Sequence, residues 1–225
     1  MNILLVSATA LEIAPLLKEL GKGRILEPNL TRYRYNKLVI DILVTGVGMV
    51  ATAYRSGRTL HGRKYDAAIN AGICGSFDRN LELGVVVNVI SDFFPEKGAE
   101  SGEYFLSLID LRLLEQDEFP FTEGKLLNRS RFRSQALESL PEVSGATVNT
   151  VHGNAESILQ FEKRFNVQVE TMEGAAFFYA AFLQGVKCLQ IRAVSNYVEP
   201  RDTSHWNIPL AIRNLNRVLW TILNE

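Results

Sequence analysis

Short apolar runs alternate with longer amphipathic stretches along almost the whole chain. Asn2-Ile3-Leu4-Leu5-Val6 predicts a buried strand. Thr9 then opens a predicted helix that places Leu11, Ile13, Leu16, Leu17 and Leu20 on one face. Tyr33 to Tyr35 and Leu38 to Val44 predict a hairpin turning at Asn36-Lys37, with Gly46-Val47-Gly48 closing its second strand and a helix over 49–60. Ala67-Ala68-Ile69-Asn70 predicts a short buried strand closed by a glycine turn, Ala71-Gly72-Ile73-Cys74-Gly75. Strands follow over Val85 to Ile90, Thr147 to Val151, Val167 to Glu170 and Lys187 to Val194, with helices over 154–165 and 174–184. Pro209 suits the first turn of a last helix running toward Leu223. Phe93 to Leu140 carries Pro95, Gly98, Gly102, Pro120 and Gly124 and predicts an excursion from the core.

Strands alternating with helices predict an α/β protein with a largely parallel sheet, which the hairpin makes mixed. A chain of 225 residues suits one domain over 1–225, and no repeat, linker or low-complexity stretch divides it. The formal charge of -1 argues against a nucleic-acid partner, which needs a basic surface. Cys74 and Cys188 are too few and too far apart for a disulfide framework or a zinc site, so a cytoplasmic home and no metal are expected. Glu12 interrupts the first apolar run, no signal peptide is evident, and no run is long enough to cross a membrane.

Two stretches carry the polar groups that stand out against this pattern: Thr171-Met172-Glu173-Gly174-Ala175-Ala176 and Arg192-Ala193-Val194-Ser195-Asn196. Each lies where an apolar strand gives way to a helix or turn, the edge at which open α/β sheets bind ligands. Glu173, at the start of a helix of small and aromatic residues, is favoured by the helix dipole. Partly buried, it also needs donors, and two ribose hydroxyls would supply them with Met172 packed on the sugar. Arg192 is the one charge in its strand; it is either half of a structural ion pair or a group that holds water or an anion. Asn196 either starts an Asx turn or reads a 6-oxopurine, whose O6 accepts and whose N1–H donates. An aspartate there would better suit the amino group of adenine.

Glu12 has two readings as well. Thr9-Ala10-Leu11-Glu12 fits a capping box, and a carboxylate at the sheet edge can also take a proton from water. Gly46-Val47-Gly48-Met49-Val50-Ala51 matches a dinucleotide fingerprint, but the next strand ends in Asn70-Ala71-Gly72, without the acid that would hold a ribose. Close approach of backbone to a ligand is the better use. Gly72-Ile73-Cys74-Gly75 is either a plain turn or a set of amides exposed to a sugar or anion.

Together these segments resemble the purine nucleoside phosphorylase and nucleosidase superfamily, from Ile3–Glu12 and Thr45–Ala51 through Asn70–Gly84 to the M-E-G-A-A and R-A-V-S-N runs. The resemblance implies a three-layer α/β/α sandwich around a mixed, largely parallel, twisted sheet. It implies a small-molecule purine nucleoside as substrate, no cofactor, and a homodimer or higher homo-oligomer. It casts Glu12 and Arg192 as the groups that prepare water, Glu173 as the ribose ligand and Asn196 as the base ligand. Val47, Cys74, Gly75, Met172 and Ser195 would line the site, and Val47, residues near Phe94 and Phe105 and a neighbouring subunit would form a 5′ pocket. Length and Glu12 are similar to the methylthioadenosine/S-adenosylhomocysteine nucleosidases, but those have aspartate where Asn196 stands. Asn196, Ser195-Asn196-Tyr197-Val198-Glu199-Pro200-Arg201-Asp202 and Thr147-Val148-Asn149-Thr150-Val151 resemble the futalosine hydrolases, which release hypoxanthine in a menaquinone pathway. The phosphate-binding arginines of the phosphorylases are missing at Ser7–Glu12 and near Asn70, so water is the expected nucleophile. The family's serine in the glycine turn is Ile73 here. Rival readings are an adenine-type nucleosidase, a purine nucleoside phosphorylase and a non-catalytic nucleoside-binding or storage protein.

Overall fold

The computed structural model describes all residues 1–225. In chain order the elements are β1 (Asn2–Ser7), α1 (Ala14–Leu20), β2 (Arg24–Glu27), β3 (Leu30–Tyr35), β4 (Leu38–Val44), α2 (Met49–Gly62) and β5 (Ala67–Ser76). Then come β6 (Val86–Asp92), a small hairpin β7 (Gly98–Ser101) and β8 (Tyr104–Ser107), β9 (Leu126–Leu127), α3 (Gln135–Glu138) and β10 (Glu142–Thr147). The last are α4 (Ala155–Arg164), β11 (Val169–Thr171), α5 (Gly174–Leu183), β12 (Cys188–Tyr197) and α6 (Ile208–Asn224).

The main sheet runs β11-β10-β6-β12-β5-β1-β4-β3-β2, with β9 beside β6. The β12-β5-β1-β4 and β11-β10-β6 runs are parallel, and the β6–β12 pair and the β2-β3-β4 meander are antiparallel. Successive residues of β1 point to opposite sides, and both sides are buried, as in sheets covered by helices on each face. Ile3 and Leu5 pack toward Leu16, Leu215 and Leu219 of α1 and α6. Leu4 and Val6 pack toward Leu60, Phe177 and Phe178 of α2 and α5. The expected three layers are therefore present.

Several element bounds differ from the sequence expectation for physical reasons. Residues 10–13 form a turn, and α1 starts at Ala14, where Pro15 fits a first turn that needs no donor at that position. Leu11 is consequently exposed. The glycine turn after Asn70 is not a turn: β5 continues as strand to Ser76. The strand expected over Thr147 to Val151 instead ends at Thr147, and residues 148–153 leave the sheet.

The extended β5 closes part of the sheet on itself. Its far end pairs antiparallel with β11 through Gly75 and Ser76, so β5, β12, β6, β10 and β11 form a ring. Opposite that end, β12 carries a bulge: Val194 pairs with Cys74 and Asn196 with Gly75, leaving Ser195 as the extra residue. Bulges re-aim side chains, and this one lies at the rim of the cavity described next.

Candidate active site

A cavity of about 320 Å³ opens at the carboxyl ends of β1, β5 and β12. Glu12, Val47, Cys74, Gly75, Met172, Glu173, Ser195 and Asn196 all line it. Eight of the nine residues singled out from the sequence thus converge, from five separate segments. The ninth, Arg192, lies beneath the floor and is fully buried.

The two oxygens of Glu12 have different partners. Oε2 accepts from the Thr9 N–H and the Thr9 hydroxyl, both at 2.9 Å, as a capping box would. Oε1 accepts from the Ile73 N–H at 3.1 Å and faces the cavity. Ile73 therefore binds Glu12 through its backbone, which a side-chain change from serine leaves in place.

Glu173 caps α5 without using its side chain for the cap. Its Oε1 accepts from the Gly48 N–H at 3.0 Å. Gly48 sits at φ +99°, a conformation that favours glycine, and its N–H serves the carboxylate rather than a dinucleotide. The Arg192 guanidinium stands 3.7 Å from Glu173 Oε2. Burial pushes the Glu173 carboxyl above its ordinary range, and the charge of Glu12 adds to the push; Arg192 and the Gly48 N–H oppose it. Asp41, a carboxylate buried away from the cavity, is held quite differently. Burial raises it too, but the Arg32 fork at 2.7 and 2.8 Å and the Tyr65 hydroxyl at 2.7 Å leave it below the ordinary range. A structural carboxylate is saturated with donors, whereas Glu173 keeps capacity for more.

Arg192 is fixed from below. Its Nε donates to Gln190 Oε1 at 3.2 Å and its Nη2 donates to Asn70 Oδ1. Gln190 in turn donates to Asp92 at 3.0 Å. The Asp92 carboxyl is raised to about 6 by burial, against its bonds from Gln190, Thr147 and Phe93. Arg192 Nη1 is buried without a hydrogen-bond partner. A methyl added to Gly72 would clash with that Nη1 and stand 2.8 Å from Glu12 Oε1. The guanidinium and the carboxylate thus meet over one bare α-carbon, and only glycine leaves them room.

At the bulge, Ser195 Oγ lies within donating distance of Cys74 O at 3.1 Å and Asn196 Oδ1 at 2.8 Å. Asn196 Nδ2 donates to Tyr197 O at 3.0 Å. One amide hydrogen and one oxygen lone pair remain for a ligand. The Cys74 thiol is pushed up to about 12 by burial and acts as a small apolar group.

The sequence reading missed a second polar pair in the same wall. His152 Nδ1 lies 2.7 Å from Glu170 Oε2, and the His152 N–H donates to Glu170 Oε1 at 3.1 Å. Both residues line the cavity, with Tyr197, Arg201 and Trp206. A carboxylate inside the apolar Val167–Glu170 run was the available signal. His205 is exposed, bonded to Glu199 at 2.8 Å, and does not line the cavity. Within one chain Phe94 and Phe105 line a second cavity of about 340 Å³ with Lys97 and Arg164, apart from Val47. The β7–β8 hairpin that carries Phe105 pairs only with itself, outside the main sheet, and so does not bring that ring to Val47 within one chain.

The model of the phosphorylase superfamily matches residues 2–224. The futalosine hydrolase of Streptomyces coelicolor is 31% identical over 187 residues, covering 78% of this chain and 74% of that protein. The 5′-methylthioadenosine/S-adenosylhomocysteine nucleosidase of Maridesulfovibrio salexigens is 26% identical over 202 residues, covering 85% and 84%. Among solved structures, the nucleosidase of the latter type from Colwellia psychrerythraea, in complex with adenine, superposes with a TM-score of 0.80 at 17% identity, covering 100% of this chain and 95% of that one. The futalosine hydrolase of Helicobacter pylori superposes with a TM-score of 0.78 at 16% identity, covering 100% and 97%. With a family match over nearly its whole length and the same mixed-sheet sandwich, the chain belongs to the phosphorylase superfamily.

Proposed function

We propose that this protein is a nucleosidase that hydrolyses the N-glycosidic bond of futalosine, releasing hypoxanthine and dehypoxanthine futalosine. One observation carries the reading: Glu12, Glu173 and Asn196 line a single cavity. Their spacing along β5 supports it. Glu12 and Arg192 meet at Gly72, and Asn196 meets Gly75. Three residues of strand span about 10 Å, enough to lay a ribose at one end and a purine at the other.

In this reading Glu173 binds the 2′- and 3′-hydroxyls and stabilises positive charge on the sugar as the C1′–N9 bond breaks. Glu12 Oε1 takes a proton from water at C1′, and buried Arg192 keeps two neighbouring carboxylates from repelling each other. Asn196 hydrogen-bonds the departing 6-oxopurine. An amide holds no transferable proton, so N7 receives its proton from water or another donor. General-acid or general-base assistance is worth about 10²–10⁴-fold. Phosphate fits this site poorly, because a dianion would meet Glu12 and Glu173 while Arg192 faces them from below the floor.

The identity to futalosine hydrolases and the amide at 196 favour futalosine over an adenine-type nucleoside. Incubation with futalosine, inosine and methylthioadenosine, each with and without phosphate, tests this. Free hypoxanthine from futalosine without phosphate is the expected result. Adenine from methylthioadenosine alone, or product only with phosphate, would assign one of the rival activities. Tight nucleoside binding without product would mark a storage protein. We also infer a homodimer or higher homo-oligomer. Val50 and Tyr54 are 79% and 67% exposed on α2, next to Val47 at the cavity wall. Sedimentation as a monomer would remove that inference.

A further inference from the structure

A 6-oxopurine differs from a 6-aminopurine at two adjacent atoms. The exocyclic atom is an acceptor in the first and a donor in the second. N1 carries a hydrogen in the first and a lone pair in the second. If Asn196 assists the departing base, its free Nδ2 hydrogen goes to the exocyclic O6 and its free Oδ1 lone pair to N7–H, so the amide is used up. Reading N1 needs a second group, and for a 6-oxopurine that group must be an acceptor.

We propose that His152, held by Glu170, is that second reader and accepts the N1–H of a 6-oxopurine through Nε2. The inference rests on the proposal that the cavity takes a purine. Three observations support it. First, Glu170 and Asn196 are neighbours across Gly75: a methyl there would stand 3.4 Å from Glu170 Cγ and 3.4 Å from Asn196 Nδ2. The imidazole reached through Glu170 therefore lies at the same end of the cavity as the amide. Second, the contact with Glu170 sets the tautomer. The proposed reader is the neutral imidazole: the Glu170 carboxylate, 2.7 Å away, accepts the hydrogen on Nδ1, and the lone pair falls at Nε2. Third, the pair is rigid. Glu170 is buried and takes the His152 backbone N–H on its other oxygen, and the His152 ring packs 4.6 Å from the Phe161 ring of α4. A 6-aminopurine would set its N1 lone pair against that of Nε2. Leaving such groups unpaired in a closed site gives strong rejection.

The backbone contact makes a sharp test possible. In Glu170→Gln the fixed His152 N–H claims the single amide oxygen, which turns the amide NH₂ toward Nδ1. Nδ1 must then accept, and the hydrogen moves to Nε2. The preference should reverse, because a donor at Nε2 suits the N1 lone pair of a 6-aminopurine.

Calorimetry with free hypoxanthine, 1-methylhypoxanthine and adenine measures this without any turnover. The wild type should bind hypoxanthine at least about 100-fold tighter than the other two. His152→Phe should keep the tilted ring packing against Phe161 and bring the three affinities within about tenfold. Glu170→Gln should bind adenine more tightly than hypoxanthine. An unchanged ratio in both variants, or an equal loss of all three affinities, would overturn the proposal, as would a wild type without preference. Hydrolysis assays on the same preparations separate the two claims. A wild type that selects hypoxanthine but leaves futalosine intact would sink the assigned reaction and spare the base reader. A wild type that hydrolyses futalosine with no change of base preference in the variants would do the reverse.

Discussion

The two ends of the cavity are built on different principles. At the Gly72 end, the Glu12 carboxylate and the Arg192 guanidinium meet over one α-carbon with the Glu173 carboxylate 3.7 Å from the guanidinium, and each carboxylate is anchored by a backbone N–H from a distant segment, Ile73 for Glu12 and Gly48 for Glu173. At the Gly75 end the groups are an amide and an imidazole, each oriented by a neighbouring side chain, Ser195 or Glu170. The first end concentrates charge where a sugar cation and a water would react. The second arranges donors and acceptors where a base would be read. The difference separates the chemical step from selection, so variants at the two ends should fail in different ways.

The largest expected effects lie at the charged end. Glu12→Gln and Glu173→Gln should each lower turnover by about 10²–10⁴-fold. Their folds should survive, because a glutamine oxygen can still accept the Ile73 or Gly48 N–H. Circular dichroism with steady-state kinetics checks both halves, and near-normal turnover in either variant removes that residue's role. Next is the support beneath it. Asp92 has its carboxyl raised from 3.8 to about 6. Between those values the native state keeps a proton that the unfolded chain has lost. Stability from this group is therefore full below pH 4 and declines as pH rises to about 6, with a total change of about 3 kcal/mol. The stability difference between the wild type and Asp92→Asn should follow that curve and be flat above pH 7. A difference independent of pH from 4 to 7 would show that Asp92 does not titrate there.

Gly72→Ala sharpens the contrast further. Its methyl must displace Arg192 or Glu12, at a cost of about 1–3 kcal/mol, with turnover falling through the lost geometry. Thermal denaturation and kinetics measure both. Unaltered kinetics would show that the meeting of charges at Gly72 is dispensable. The smallest effect is expected at the base end. Asn196→Asp should move the ratio of hypoxanthine-type to adenine-type turnover by about 10–100-fold toward adenine, with the better substrate still hydrolysed efficiently. A variant that continues to reject adenine-type nucleosides would remove Asn196 as a reader of the base.

Legibility followed the same division. Glu12, Glu173 and Asn196 stood out because each is a polar residue at the end of an apolar run, and the structure brings all three to one cavity. The capping contacts expected of Glu12 are present on one oxygen, and the other accepts from the Ile73 N–H in the residue's place at the cavity, where the role of base is proposed. Arg192 was legible as a buried charge, but not its position below the floor. The Glu170–His152 pair was not found. The two residues are 18 positions apart, and His152 follows a strand that ends four residues before the predicted bound. Within one chain Phe94 and Phe105 lie at a second cavity, and the segment from 93 to 140 has no period from which that placement could be inferred.

The pattern of apolar positions determined the α/β class, the central strands and the residue types available at their ends. These are local properties, since a strand buried on both faces must be apolar almost throughout and a polar residue at its end needs a reason. Closure of β5 onto β11, the bulge at Ser195, the convergence at Gly72 and the orientation of His152 were decided only in three dimensions. Each depends on which strands become neighbours and in what register. Those pairings join residues far apart in the chain, and local sequence does not encode them.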